Sequence, residues 1–184
     1  MGNKPSYLGL LNAIALAESE AECYLNAWAE VTPHDDVRQV LRTVALREGE
    51  HGKAFAKRIC ELGFDVVPKE NDDLGWRMDV ASSREFSDAE KFAKLKVGQQ
   101  PVDGDDVFAG MFRNPDIDIQ TGGLLGRYIA EERDSGRMLR SCCETVTARE
   151  AASGNGAGRD AELAALGARL DRIEKLLEKA TSKK

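Results

Sequence analysis

Val44-Ala-Leu-Arg-Glu48-Gly-Glu-His51 puts two polar side chains where a helix wants apolar ones. Val37, Leu41, Val44, Phe55, Ile59 and Leu62 recur at three- and four-residue steps, the spacing of one helix face. Glu48 and His51 fill the consecutive slots of that face between Val44 and Phe55. Residues three apart on a helix point the same way, so both side chains are directed inward. A carboxylate buried alone is costly and requires a partner. Arg47 and Lys53 fall off the core face and are not its counter-ions.

Working outward, this helix is expected to begin at Thr32-Pro33, with Thr32 as N-cap, Pro33 in the first helical position, and Asp35 and Asp36 at the positive end. It is expected to stop near Leu62, where Gly63 follows. The preceding helix should run from about Ser6 to Val31 on the stripe Leu8, Leu11, Ala15, Glu18, Ala21, Leu25 and Trp28. So short a turn forces the two helices antiparallel. A third long helix is expected from about Ile119 to Ala148, with Leu125, Tyr128, Glu132, Ser135, Leu139, Cys142 and Val146 on one face. Glu18 and Glu132 thus occupy core slots on two further helices.

Residues 64–118 read as a long connection folded over the helices, because Phe64, Trp76, Phe86, Phe92 and Phe108 among others are too apolar for a disordered segment. Within it, Ser87-Asp-Ala-Glu90 is a capping box before a short helix, Ala89 to Val97, and Asp105 to Phe112 suggests a further helical turn or two. Residues 151–158, rich in glycine, read as a flexible linker closing a domain over residues 1–150. Residues 159–184 form a tail in which Leu163, Leu166, Leu170, Ile173, Leu177 and Ala180 make a coiled-coil seam. The expected fold is all-α, a helical bundle with a C-terminal coiled-coil helix. The expected assembly is a homo-oligomer held through residues 159–180.

A formal net charge of -6 argues against nucleic acid and anionic lipid as partners. No apolar run approaches the roughly 20 residues of a membrane span, and the N-terminus has no secretory pattern. Cys23, Cys60, Cys142 and Cys143 form no CxxC pair, which suits small buried hydrophobes in a reducing cytoplasm.

Three carboxylates and an imidazole in one core are best matched by divalent cations. The Glu-x-x-His spacing lets one helix offer an oxygen and a nitrogen to a metal while facing helices add glutamates. The metal-ligand set is therefore Glu18, Glu48, His51 and Glu132. The competing register on the third helix takes Glu131 in place of Glu132, with Glu131-x-x-Asp134 as an altered Glu-x-x-His. Setting Leu11 against Leu125 aligns Glu18 with Glu132 and Leu25 with Leu139, which favours Glu132. His34 reads as a surface residue, Glu20 and Glu22 as a solvated flank, Trp28 and Tyr128 as core.

The order of these segments, Leu16-Ala-Glu18-Ser-Glu-Ala-Glu-Cys-Tyr24, then Ala45-Leu-Arg-Glu48-Gly-Glu-His51, then Tyr128-Ile-Ala-Glu131-Glu132-Arg-Asp134, resembles the ferritin and rubrerythrin superfamily. The match covers residues 6–62 and 119–148. It lacks a second Glu-x-x-His and any CxxC pair, and so is closer to a ferritin ferroxidase centre than to a rubrerythrin. The resemblance implies a di-iron centre, with manganese or zinc as substitutes, and oxidation of ferrous iron by dioxygen or peroxide. Three glutamates carry three negative charges, so two ferrous ions and one bridging hydroxide would balance. Three carboxylates and one ring nitrogen offer at most seven ligand atoms, leaving open positions on two irons. The competing function is a structural helical protein that oligomerises through its tail without redox chemistry.

Overall fold

The computed structural model describes residues 4–69, 71–98, 110 and 113–181, with side chains described as far as residue 153 except at Asp72. Among the described residues there are five helices and no strand: α1 Leu8–Val31, α2 Asp35–Glu61, α3 Asp72–Ser82, α4 Asp88–Leu95 and α5 Ile119–Thr181. The expected helix over Asp105 to Phe112 lies outside the described residues, Gly110 apart. No described helix is long and apolar enough to cross a membrane. The chain divides into two units, Met1–Cys143 and Glu144–Lys184. The second is the continuation of α5, which is helical through 151–158, where composition predicts a linker. The heptad side chains of residues 159–180 lie outside the described side chains.

α1 and α2 form the antiparallel pair that the short turn requires. The turn itself differs from expectation. Thr32 is the C-cap of α1 and His34 the N-cap of α2, two residues later than predicted. The Thr32 hydroxyl accepts from the His34 N–H at 3.3 Å and donates to Asp88 Oδ2 at 2.6 Å. Asp88 also accepts from Trp28 Nε1 at 2.6 Å, tying α4 to the end of α1. Trp28 and Phe92 stack edge to face at 4.7 Å over this contact. At the other end, Gly63 closes α2 as expected: at φ +82 its N–H bonds to Cys60 O and the N–H of Phe64 to Ile59 O. That crossed pair satisfies carbonyls a straight helix end would leave bare.

The Ser87–Glu90 capping box forms, starting α4 one residue before the predicted point. α3 is a helix that the sequence reading does not anticipate; it opens on an Asn71 side-chain cap, buries Val80 and Ala81, and packs on α1, with Arg77 5.6 Å from the centroid of the Tyr24 ring. After α4 the chain turns at Gly98, φ +70, where a Cβ would stand 2.9 Å from the Leu139 carbonyl carbon. Glycine there lets the turn lie directly on the α5 backbone.

The first part of α5 docks on α1 and α2 through a polar clasp at its start. Asp118 accepts from the backbone N–H groups of Gln120 and Thr121, both at 3.0 Å, and so caps the helix. It also accepts from Tyr7 Oη at 2.6 Å and from Arg58 at 2.9 Å. The buried Arg58 further donates to Thr121 Oγ1 and Gln120 Oε1. Asp118→Ala removes the cap together with the acceptor of Tyr7, Arg58 and the Thr121 hydroxyl, and is expected to destabilise the fold by about 2 kcal/mol. A denaturant midpoint unchanged from wild type would show that the clasp contributes nothing.

Candidate metal centre

The interior is layered along the helices. Leu11, Ala15, Phe55, Ile59, Leu125, Tyr128 and Ile129 belong to one apolar cluster. Leu25, Trp28, Leu41 and Val44 are buried further along α1 and earlier on the antiparallel α2. Between these layers sit Glu18, Glu48 and His51, only 7%, 5% and 3% exposed. One ligand atom from each of Glu18, Glu48, His51 and Glu132 lies within 4.8 Å of the others. All four residues read from the sequence therefore come together, three buried and Glu132 partly so.

Two glycines let α1 and α2 close at this level. A Cβ on Gly52 would lie 2.6 Å from Ser19 Oγ, 3.2 Å from Ser19 N and 3.3 Å from Ala15 O. A Cβ on Gly49 would lie 2.3 Å from the Glu22 carboxylate, which sits over that backbone with Lys53 Nζ 3.5 Å away. Glu22 is thus packed against α2, not a solvated flank. Glycine inside a helix costs about 1 kcal/mol relative to alanine. Glycines on both sides of Glu50-His51 were the sequence signal for this close approach.

His51 is oriented by carboxylates on both sides. Its Nε2 lies 2.7 Å from Glu131 Oε2, while Nδ1 faces Glu132 Oε1 at 3.4 Å and Glu48 Oε2 at 3.7 Å. The Nδ1 contacts are too long for hydrogen bonds. Consequently Glu48 Oε2, His51 Nδ1 and Glu132 Oε1 are buried atoms with no hydrogen-bond partner. Glu18 accepts a bond from Tyr128 Oη at 2.8 Å. The Tyr128 ring meets His51 and Phe55 edge to face at 5.1 and 5.2 Å. Tyr128 is core as read, but its hydroxyl also belongs to the site. Its position one turn before Glu132 on the same face was the sequence signal.

Nearby cations serve other partners. Arg47 pairs with Asp134 at 2.8 Å, Arg137 with the same carboxylate at 2.9 Å, and Arg127 with Glu131 at 2.9 Å. Asp134 is thereby directed to arginines and does not act as a histidine substitute. Of the two registers weighed on α5, the carboxylate that joins Glu18, Glu48 and His51 Nδ1 is that of Glu132.

The electrostatics are those of a crowded acid cluster. Burial, then the hydrogen bond and charge of Glu48, push Glu18 up to about 9. Burial opposes the imidazolium of His51, but Glu132, Glu48 and Glu131 outweigh it and hold the ring up to about 10. Burial also raises Glu48, yet His51, Glu18 and Glu132 bring it below the ordinary range. Burial raises Glu132, only partly offset by His51. At neutral pH, protons on Glu18 and His51 stand where a cation would otherwise hold the cluster together.

The donor set fits a metal. Atoms about 2.1 Å from one ion stand about 3.0 to 4.2 Å apart, depending on the angle between them. The separations of 3.4 and 3.7 Å from Nδ1 fall inside that range, and the 4.8 Å limit of the full set lies just beyond it. Three hard oxygens and one imidazole suit iron, manganese or zinc. No protein-family model matches this sequence, and neither a curated protein nor a solved structure matches it significantly.

Proposed function

We propose that this chain is a metal-binding protein of the ferritin-like kind, with Glu18, Glu48, His51 and Glu132 as ligands and iron as the principal metal. One observation carries the reading: three buried donor atoms on two helices, Glu48 Oε2, His51 Nδ1 and Glu132 Oε1, have no hydrogen-bond partner and face one another. Proteins bury such atoms without partners only at a cost, and a cation removes it. Manganese and zinc satisfy the same donors. Ferrous iron is the proposed substrate, each ion giving up one electron to dioxygen or peroxide. Four ligand residues leave coordination positions open, which favours reactivity over a closed structural site.

The protein's own part is to arrange the donors. α1 and α2, closed on each other at Gly52, set Glu18 against Glu48. Tyr128 holds one oxygen of Glu18 in place. The apolar layers on either side limit water. The heptad pattern of residues 159–180 supports the further proposal of a homo-oligomer; a purely structural role in assembly is the competing reading.

Wild-type protein reconstituted anaerobically with ferrous iron is expected to retain one or two ions per chain after desalting, the ratio deciding between a single-ion and a di-iron centre. Admission of dioxygen or peroxide is expected to produce near-ultraviolet ferric absorbance. Protein that retains no iron, manganese or zinc would leave only the structural reading.

A further inference from the structure

Glu131 and Glu132 are adjacent in sequence, so their side chains leave α5 about 100° apart. They straddle the His51 ring. Glu132 Oε1 stands 3.4 Å from Nδ1, and Glu131 Oε2 stands 2.7 Å from Nε2. The two ring nitrogens point to opposite sides of an imidazole, so a carboxylate bonded at Nε2 does not share an ion held at Nδ1. The other oxygen of Glu131 is held by Arg127 Nε at 2.9 Å, one helical turn back, and Arg127 also reaches Glu50 at 3.5 Å.

We propose that Glu131 is the positioning residue of this centre: by accepting the Nε2 proton of His51, it fixes the tautomer in which Nδ1 is bare and faces Glu18, Glu48 and Glu132. This inference rests on the metal reading above and adds a role for a residue outside the ligand set. A neutral imidazole has one N–H and one lone pair, and the partner of the first decides where the second points. Nδ1 has no hydrogen-bond partner, the nearest carboxylate oxygens standing 3.4 and 3.7 Å away, whereas Nε2 has one at 2.7 Å, so the single proton of the neutral ring is best held at Nε2. By holding the other oxygen, Arg127 keeps Glu131 aimed at the ring. The Glu-Glu dyad thus divides its work: one carboxylate is a ligand and its neighbour orients the ligand beside it.

Zinc is the probe, because it is diamagnetic and does not turn over. Affinity is read by calorimetry, and the His51 tautomer by ring nitrogen resonances, with His34→Gln assigning the other histidine. Zinc-loaded wild type is expected to show the proton on Nε2. Glu131→Ala is expected to lose about 10- to 100-fold in zinc affinity, the usual range for removing such a partner. Glu131→Gln, whose amide oxygen still accepts from Nε2, is expected to restore affinity to within about threefold of wild type and to keep the tautomer. A surface ion pair with Arg127 alone would move neither reading. Glu131→Ala binding zinc as tightly as wild type, or a ring proton found on Nδ1, overturns the inference and leaves the metal reading intact. Equal losses in the alanine and glutamine variants would make Glu131 a ligand and likewise overturn it. Wild type that binds no zinc and no iron sinks both readings together.

Discussion

Glu48→Ala is expected to lower metal affinity by more than about a hundredfold, beyond the loss usual for an outer partner, while the helices remain folded. Glu48 is the residue the others face. His51, Glu18 and Glu132 all interact with its carboxylate, and those interactions bring it below the ordinary range against its own burial. It is therefore the anionic centre of the cluster, and in a two-ion centre it is the carboxylate placed to bridge. In the metal-free protein its loss is mild. Glu48 is among the groups that raise Glu18 and Glu132, so removing it relieves like-charge crowding as well as creating a small cavity. Glu48→Gln keeps the shape and removes the charge. If Glu48→Gln loses metal alongside Glu48→Ala, with unchanged helical content, the carboxylate is the cause and the cavity is not. Metal analysis of both variants after ferrous or manganous loading decides it. Wild-type metal content in either one contradicts the assignment of Glu48.

The candidate site was legible because its residues break a pattern. Glu18, Glu48, His51 and Glu132 each interrupt an apolar stripe, and an interruption is visible without knowing how the helices meet. Glu131 was harder. It lies beside the stripe, and only the docked ring of His51 gives it a partner. The bond from the Thr32 hydroxyl to Asp88 was hidden for a similar reason, its partner lying more than 50 positions away. α3 carries no strong apolar periodicity, and what holds it is its packing against α1 and α4. Gly63 and the Ser87–Glu90 box are local geometry, and both were read correctly. The Glu131 and Glu132 alternatives could not be separated by spacing, since adjacent residues differ by about 100° of rotation and both bordered the apolar face.

Metal is expected to raise the melting temperature, and to raise it more at pH 8.5 than at pH 6.5. Glu18 is held up to about 9 in the folded chain, against an ordinary 4.5. His51 is held up to about 10, against 6.5. Both groups bind protons more tightly folded than unfolded. Their contribution is complete below the unfolded values and is lost as pH rises toward 9 and 10. Over that window the metal-free protein is expected to weaken steadily. A divalent cation reverses the trend, because it takes the place of those same protons. Each displaced proton weakens apparent binding about tenfold per pH unit below its folded pKa, so affinity falls as pH drops. With manganese at about a thousand times its dissociation constant, the stabilisation is about 4 kcal/mol. For a chain of this size that corresponds to roughly 8 to 16 °C. Manganese avoids the oxidation that would complicate ferrous iron at alkaline pH. Thermal melts with and without manganese, at both pH values and with Glu48→Ala as control, give the measurement. A gain that is equal at the two pH values, or larger at pH 6.5, would mean that the cation does not displace protons from Glu18 and His51. A gain that persists in Glu48→Ala would place the metal elsewhere in the protein.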